Sequence, residues 1–531
     1  MIIFVWVTVL LAVLFLYNRQ VYSKFSRHGI KHLTPVPFLG NMTRALLRVD
    51  HITAEVMRLY TEFPKERFVG RYEFMKEMIV IRDIELVKKI GVKDFEHFLD
   101  HRALFRSGDS FFSRSLIALE GQEWKDMRST LSPAFTSSKI RLMVPFMVEV
   151  GDQMLCSLKK KIKESKTGYI DVECKDLTTR YSNDVIASCA FGLKVDSHND
   201  EDNEFYAMGK ALTQLTLRSM LTFFVLLLIP SAVANFLKLD LFNKESAIFF
   251  KKLVLETMNE REVRKIIRPD MIHLLMEAKK GKLTHEDITS NDEAAGFATV
   301  EESAVGQKQV NRVWTDHDLI AQAVLFFFAG FETVSSGMSF LMYELALNPD
   351  IQERLAQEIK ETDAKNGGKF DFNSIQNMPY MDMVVSELLR LWPPAVALDR
   401  ACTKDYNLGK PNENSEKDFI VRKGTTISIP VFAIHRDPQF FPNPDKFDPE
   451  RFSEENKHNI PMFAYMPFGV GPRNCIGSRF ALCEIKIMVY QILQHMVISP
   501  CEKTTIPVKL DKNTFNLLLE GGHWLRFKPR A

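Results

Sequence analysis

The chain has 531 residues, 46% of them apolar, and a formal charge of +2. That apolar share can fill a sizeable core, and the near-balanced charge gives no whole-chain signal for nucleic acid. Seven scattered cysteines, odd in number and without a CxxC pair, argue against a disulfide framework and place the body in a reducing compartment. No Pro/Ser/Gly-rich linker, repeat or low-complexity tract divides the interior, so one large domain behind an N-terminal appendage is expected. Forty-one phenylalanines suit a greasy pocket as well as an ordinary core.

In chain order, "MIIFVWVTVLLAVLFLY" is uncharged throughout and would span about 25 Å as a helix, close to the endoplasmic reticulum bilayer. A cleaved signal peptide would need a basic leader and a small-residue cleavage site, and a mitochondrial presequence would be Arg-rich. Instead Arg19, Lys24, Arg27 and Lys31 follow the apolar run, which the positive-inside rule reads as a cytosolic flank. Residues 1–18 are therefore expected to be a single-pass signal anchor in the endoplasmic reticulum membrane, with a cytosolic catalytic domain. Residues 19–42 read as a basic linker ending in a stiff proline strap, "LTPVPFLGNM", and 43–531 as the catalytic domain. "FVGRYEFMKEMIVIRD" predicts a hairpin, while "DFIVRKGTTISIP" and "TFNLLLEGGHWLRFKP" predict further short strands. Most of the remainder has helical spacing, so the fold class is mainly α with small β-sheets. Leu221 to Leu237 is the second most apolar run, and Pro230 interrupts it. It either packs in the core or dips into the membrane beside the anchor. Thr289 to Gln309 is polar, small and acidic, and reads as an exposed loop.

Chemistry concentrates in "PFGVGPRNCIG", residues 467–477. Gly469, Gly471 and Gly477 surround Cys475, and a periodic helical stretch follows. A thiolate just ahead of a helix N-terminus is stabilised by the dipole and the free amides. A nucleophile would want a histidine base nearby, and zinc would want three or four ligands. A haem iron needs one protein ligand on its proximal side, and a thiolate is one of the known choices. Cys483 and the other five cysteines read as core thiols. Glu387 and Arg390 share a helix face, as do Trp124 and Arg128. Gly330, Glu332 and Thr333 fall in the middle of a long apolar helix starting near Thr315, where polar groups are costly or bond back to the preceding turn.

"FGVGPRNCIG" resembles the haem-binding loop of the cytochrome P-450 superfamily at Phe468, Gly471, Arg473, Cys475 and Gly477. "ELLR" followed by "FDPERF" is similar to the family's buried ion network of Glu387, Arg390 and Arg451. "AGFET", Ala329 to Thr333, resembles its oxygen-activating helix, and "WKDMR" its propionate-binding helix. The motifs occur in family order, from the anchor to the C-terminus. The resemblance implies haem b with Cys475 as axial ligand, and propionates held by Trp124, Arg128, Arg400 and Arg473. It implies a local helix opening at Ala329 and a proton relay through Glu332 and Thr333, where Val334 replaces the second hydroxyl of many members. Substrate contacts are implied at Phe105, Leu116, Phe326, Val396, Leu398 and Leu517. The implied reaction is a monooxygenation using O2 and NADPH. No Rossmann glycine fingerprint is present, so electrons would come from an NADPH-dependent flavoprotein reductase, with cytochrome b5 as a second donor. Lys125, Arg128, Lys139 and Arg141 offer a basic docking face, unless they are merely solvated surface. "VKDFEHFLDHR", "LSPAFTSSKIRLM" and "DVIASCAFGLKVDS" look like insect microsomal family-nine members, which implies lipophilic plant compounds and insecticides as substrates. A haem-thiolate isomerase or dehydratase of lipid peroxides, and a non-catalytic haem protein, remain as alternatives.

Overall fold

A computed structural model describes the chain except residues 103–110, 215–216, 230–232, 234–235, 238, 240, 284–295, 309–312, 369–370 and 531. Phe105, Pro230 and the first part of the acidic Thr289–Gln309 stretch lie outside the described residues.

The N-terminal apolar run is one helix, α1 (Ile2–Tyr22). Its portion Phe4–Tyr22 is long and apolar enough to cross a membrane, and only 6% of it is buried. The helix continues past residue 18 because its last turns dock on the body. Asn18 is buried, and the Tyr22 hydroxyl donates to the Phe74 carbonyl at 2.9 Å. The following segment is packed rather than free: Phe25 is fully buried against Tyr72, their rings 4.7 Å apart. The stretch read as a linker thus belongs partly to the body.

The expected hairpin is present as β1 (Phe68–Glu73) and β2 (Lys76–Ile81). β3 (Ile170–Glu173), β4 (Leu398–Ala401), β5 (Tyr406–Gly409), β6 (Phe419–Val421), β7 (Thr426–Ile429), β8 (Met496–Pro500) and β9 (Trp524–Pro529) complete the described strands. They form small sheets in the orders β1-β2-β7-β4, β3-β9-β8 and β5-β6. Antiparallel pairing of β4 with β7 sets Arg400 opposite Ile427, which fixes that guanidinium beside the helical core.

The helices that position the site are α2 (Gly121–Leu131), α3 (Cys174–Ile186), α4 (Leu217–Leu228), α5 (Asp316–Leu347), α6 (Pro379–Leu391) and α7 (Ser478–His495). α5 begins at a capping box. The Thr315 hydroxyl accepts the Asp318 N–H at 3.2 Å, and the Asp318 carboxylate accepts the Thr315 N–H at 3.0 Å. This helix also meets the length and apolarity of a membrane span, but 67% of it is buried, so it is a core helix. α6 starts with Pro379, whose fixed φ and missing N–H suit a first turn.

α4 holds the start of the second apolar run. Phe224 packs on Phe74 at 5.9 Å, the residue whose carbonyl holds Tyr22, so this run lies where α1 leaves the body. On α4, Leu221 and Val225 are exposed whereas Leu226 is buried, and Phe236, beyond the end of α4, is exposed as well.

Two expectations are corrected. Within the stretch read as an exposed loop, residues 296–308 lie against the body: Ala298 is buried and Phe297 packs on Phe452 and Tyr465 at 5.1 and 5.3 Å. Small and aromatic residues among the acids supply that contact. The cysteines are not uniformly core thiols either. Cys156 is exposed, and Cys501, one residue beyond the end of β8, is half-buried.

Candidate active site

The cysteine loop is shaped by glycine. Gly469 and Gly471 have φ of +81° and +67°, and a Cβ at Gly471 would lie 1.7 Å from the Gly91 carbonyl oxygen. The chain then turns back so that the Cys475 N–H donates to the Phe468 carbonyl at 2.8 Å, and α7 starts after Gly477. Cys475 is exposed, and the surface it exposes is the wall of an internal cavity rather than bulk solvent. Burial pushes its thiol pKa up, opposed by the Gly477 N–H and by the positive charge of Arg128.

The cavity has a volume of about 380 Å³ and carries Phe468, Cys475 and Gly477 on one side. Facing them, α5 contributes Phe326, Ala329, Gly330 and Thr333. Those positions follow the i, i+3, i+4, i+7 spacing of one helix face. Ala329 and Thr333 are exposed residues on a buried helix, and both line this cavity. The Thr333 hydroxyl donates to the Ala329 carbonyl at 2.5 Å, and α5 is unbroken through this turn. The Thr333 hydroxyl thus bonds back to the preceding turn, a contact that loosens a helix slightly, at the position where the resemblance implies a local opening. Glu332 is turned out of the cavity. Its Oε1 lies 3.2 Å from Lys175 Nζ and accepts from Asn516 Nδ2 at 3.3 Å and Ser336 Oγ at 3.4 Å.

Trp124, Arg128, Arg400 and Arg473 all border the same cavity, with His101. The Arg473 guanidinium stacks 4.1 Å from the Trp124 ring and donates to the carbonyls of Leu99, Leu116 and Leu119. Its nearest carboxylate, Asp100, is 3.7 Å away. Arg400 donates to the carbonyls of Asp399 and Val470. Burial lowers the pKa of Arg473 to about 9, and burial also shifts that of Arg400 downwards. Two buried cations met mainly by carbonyl oxygens suit a ligand with two anionic arms. With one enclosed thiol on one wall and an apolar helix face opposite, the donor set fits haem. Arg128 differs: its fork is held by Glu302 and Asn474, at 2.7 Å from Nη2 to each. Being only 3% exposed, it cannot serve as a docking charge, which corrects part of the basic face read from sequence. Lys125 is likewise paired, with Glu96 at 2.7 Å, and Arg141 lies over the Phe372 ring.

A family model described as cytochrome P-450 matches residues 31–306 and 297–524. The chain belongs to the cytochrome P-450 family. It is 45% identical over 519 residues to cytochrome P-450 9e2 of Blattella germanica, covering 96% of this chain and 94% of that relative. It is 41% identical over 516 residues to "Probable cytochrome P-450 9f2" of Drosophila melanogaster, covering 95% of each. Cytochrome P-450 9b2 of the same fly is 38% identical over 517 residues, covering 97% and 96%.

In this cytochrome P-450 the ion network is geometrically complete. Glu387 and Arg390 are both fully buried and 2.7 Å apart, and Arg451 Nε lies 3.4 Å from Glu387 Oε1. Arg390 also donates to the His435 carbonyl at 2.8 Å. Burial pushes the His435 imidazole down to about 3, so its neutral ring donates from Nδ1 to the Arg390 carbonyl and accepts the Met466 N–H at Nε2. The approach to the cysteine loop is thereby tied to α6.

Of the six residues implied as substrate contacts, Leu116, Phe326 and Leu398 line the cavity. Val396 is half-buried and Leu517 buried, and neither is in the wall. Pro394 and Ala395 line it instead, and the Val396 carbonyl accepts the Phe432 N–H at 3.0 Å. Phe105 lies outside the described residues. Sequence reasoning missed Phe135, which meets Phe326 edge-on at 5.0 Å, and also Met143, Ile186 and Met271. Apolar residues at helical spacing carry no mark of which cavity they border, so no signal in the sequence singles them out.

Proposed function

We propose that this cytochrome P-450 is a membrane-bound monooxygenase that places one oxygen atom of O2 into lipophilic small molecules, with electrons from NADPH supplied by a separate flavoprotein reductase. The observation that carries the reading is the single cavity shared by Cys475, the Arg400–Arg473 pair and the apolar stripe of α5. Bound haem supplies the reductive activation of dioxygen, and a thiolate ligand favours O–O cleavage. Cys475 would be its protein ligand, Trp124, Arg400 and Arg473 would hold the propionates, and Phe326 and Leu398 would orient an apolar substrate while excluding water.

Thr333 is the hydroxyl on the stripe and the residue we assign to proton delivery. Its O–H must swing from the Ala329 carbonyl towards the cavity, at a cost near the net worth of one hydrogen bond, about 1 kcal/mol. Glu332 faces Lys175, so protons would reach Thr333 through water rather than directly from that carboxylate. The resemblance to insect microsomal members supports xenobiotics as the substrate class. α1, with its basic flank, supports attachment to the endoplasmic reticulum from the cytosolic side.

The test is reconstitution with an NADPH-dependent reductase in vesicles, screened against pyrethroids, neonicotinoids, flavonoids and fatty acids. Oxygenated product that requires both NADPH and O2 supports the proposal. Conversion of lipid hydroperoxides without NADPH, or substrate binding with no product from any class, overturns it.

A further inference from the structure

A strap from Gly296 to Lys308 crosses the outer side of the cysteine loop, and three attachments hold it. At its start, Gly296 has φ +85° and approaches so closely that a Cβ would lie 1.8 Å from Asp382 Oδ1. The Phe297 N–H donates to Asp382 Oδ2 at 2.9 Å, and Asp382 is 3.1 Å from Lys486 on α7. At its centre, Asn474 Nδ2 donates to the Glu301 carbonyl at 3.0 Å, and the Glu302 carboxylate receives Arg128 Nε at 3.2 Å and Nη2 at 2.7 Å. At its end, the Ser129 hydroxyl donates to the Lys308 carbonyl. The two pieces of the family-model match overlap on residues 297–306, within the strap.

Asn474 immediately precedes Cys475, and the strap and Arg128 together hold its polar groups. Its carbonyl and side-chain oxygen both accept from Arg128 at 2.7 Å, and its amide nitrogen is taken by Glu301. Glu302 is 25% exposed against 3% for Arg128, so this ion pair is partly shielded from water and its charges are felt nearby.

We propose that Glu302 is a positioning residue for the thiolate loop: it fixes Arg128 against Asn474 and offsets the Arg128 charge beside Cys475. This rests on the haem-thiolate reading above. Removing the carboxylate leaves the Arg128 guanidinium with one anionic partner fewer beside the ligand. That favours the reduced, more negative state of the centre and loosens the grip on Asn474.

The test uses full-length holoprotein with Glu302→Gln, Glu302→Ala and Glu302→Asp. Glu302→Gln should raise the haem reduction potential while keeping the red-shifted band of the reduced carbon monoxide complex. Glu302→Ala should raise it too and lose that band several-fold faster than wild type, at equal haem content. Glu302→Asp should restore both properties towards wild type. Gly296→Ala, which keeps Glu302 but disturbs the far anchor of the strap, should reproduce the faster band loss. An unchanged potential in Glu302→Gln, or wild-type persistence of the band in Glu302→Ala and Gly296→Ala, overturns the proposal. Parallel loss of haem and melting temperature with no potential shift in the folded fraction also overturns it, since that is a purely structural role. Wild-type protein without the red-shifted band would instead sink the haem-thiolate reading and is recognised before any variant is made.

Discussion

Cys475 and Cys483 lie two helical turns apart in sequence and have opposite surroundings. Cys475 opens onto the cavity between a Gly477 N–H and Arg128, whereas Cys483 is fully buried and its thiol is pushed up to about 12. Cys475→Ala should abolish the red-shifted band of the reduced carbon monoxide complex and Cys483→Ala should retain it. A band that survives in both would remove Cys475 from its role. Thr333→Ala should keep haem and NADPH consumption but divert electrons to hydrogen peroxide, read as a falling ratio of product to NADPH. Unchanged coupling would remove Thr333 from the proton route. Glu484 gives a prediction in pH. Burial holds its carboxyl near 8, from an ordinary 4.5, and its partner is Ser182 at 2.9 Å. The folded chain therefore keeps a proton that the unfolded chain releases, and stability present below pH 4.5 is lost as pH rises towards about 8. Glu484→Gln should flatten the melting temperature against pH over that window. A slope identical to wild type would count against this assignment.

At the scale of elements, α1 and α4 act together. Tyr22 and Phe224 both engage Phe74, which brings the exposed face of α4 beside the exit of α1. Full burial of an apolar side chain is worth roughly 1.5–3 kcal/mol, so a few exposed ones in a bilayer interface suffice for weak attachment. Deleting residues 1–17 should leave a protein that still binds liposomes, and adding Leu221→Ser, Val225→Ser and Phe236→Ser should release it. These three are chosen because their side chains are exposed; Leu226 packs inward and would test folding instead. Complete loss of liposome binding on truncation alone would show that α4 is not a membrane element.

Across the whole molecule, the Glu387–Arg390–Arg451 network joins α6 to the segment that leads into the cysteine loop. Glu387→Ala strands a fully buried guanidinium and should destabilise the fold by about 3–5 kcal/mol, read as a large drop in melting temperature and in the yield of haem-loaded protein. The network and the cysteine loop were legible in the sequence because their demands are local. Gly469 and Gly471 take positive φ, which favours glycine, and Glu387 and Arg390 share one helix face. Partner choice over long separations was not legible. Arg128 takes Glu302 from 174 residues away, and Glu332 takes Asn516 from 184 residues away. Spacing along the chain carries no information about such pairs. Nor does spacing mark which of the neighbours Pro394, Ala395 and Val396 borders the cavity.

The stripe on α5 also determines where this enzyme is free to evolve. Phe327 sits within 4.5 Å of the Phe250 ring and 5.5 Å of Phe205, and truncating such a ring costs about 3–5 kcal/mol. Its neighbour Phe326, which meets the Phe135 ring on one side, and the nearby Ala329 both border the cavity, where a larger or smaller side chain changes the space left for a bound molecule. Tolerated and forbidden substitutions therefore alternate along one helix at single-residue spacing. Under selection by a new chemical, heritable variants that change what the enzyme accepts should accumulate at Phe326 and Ala329, while Phe327 stays fixed between them.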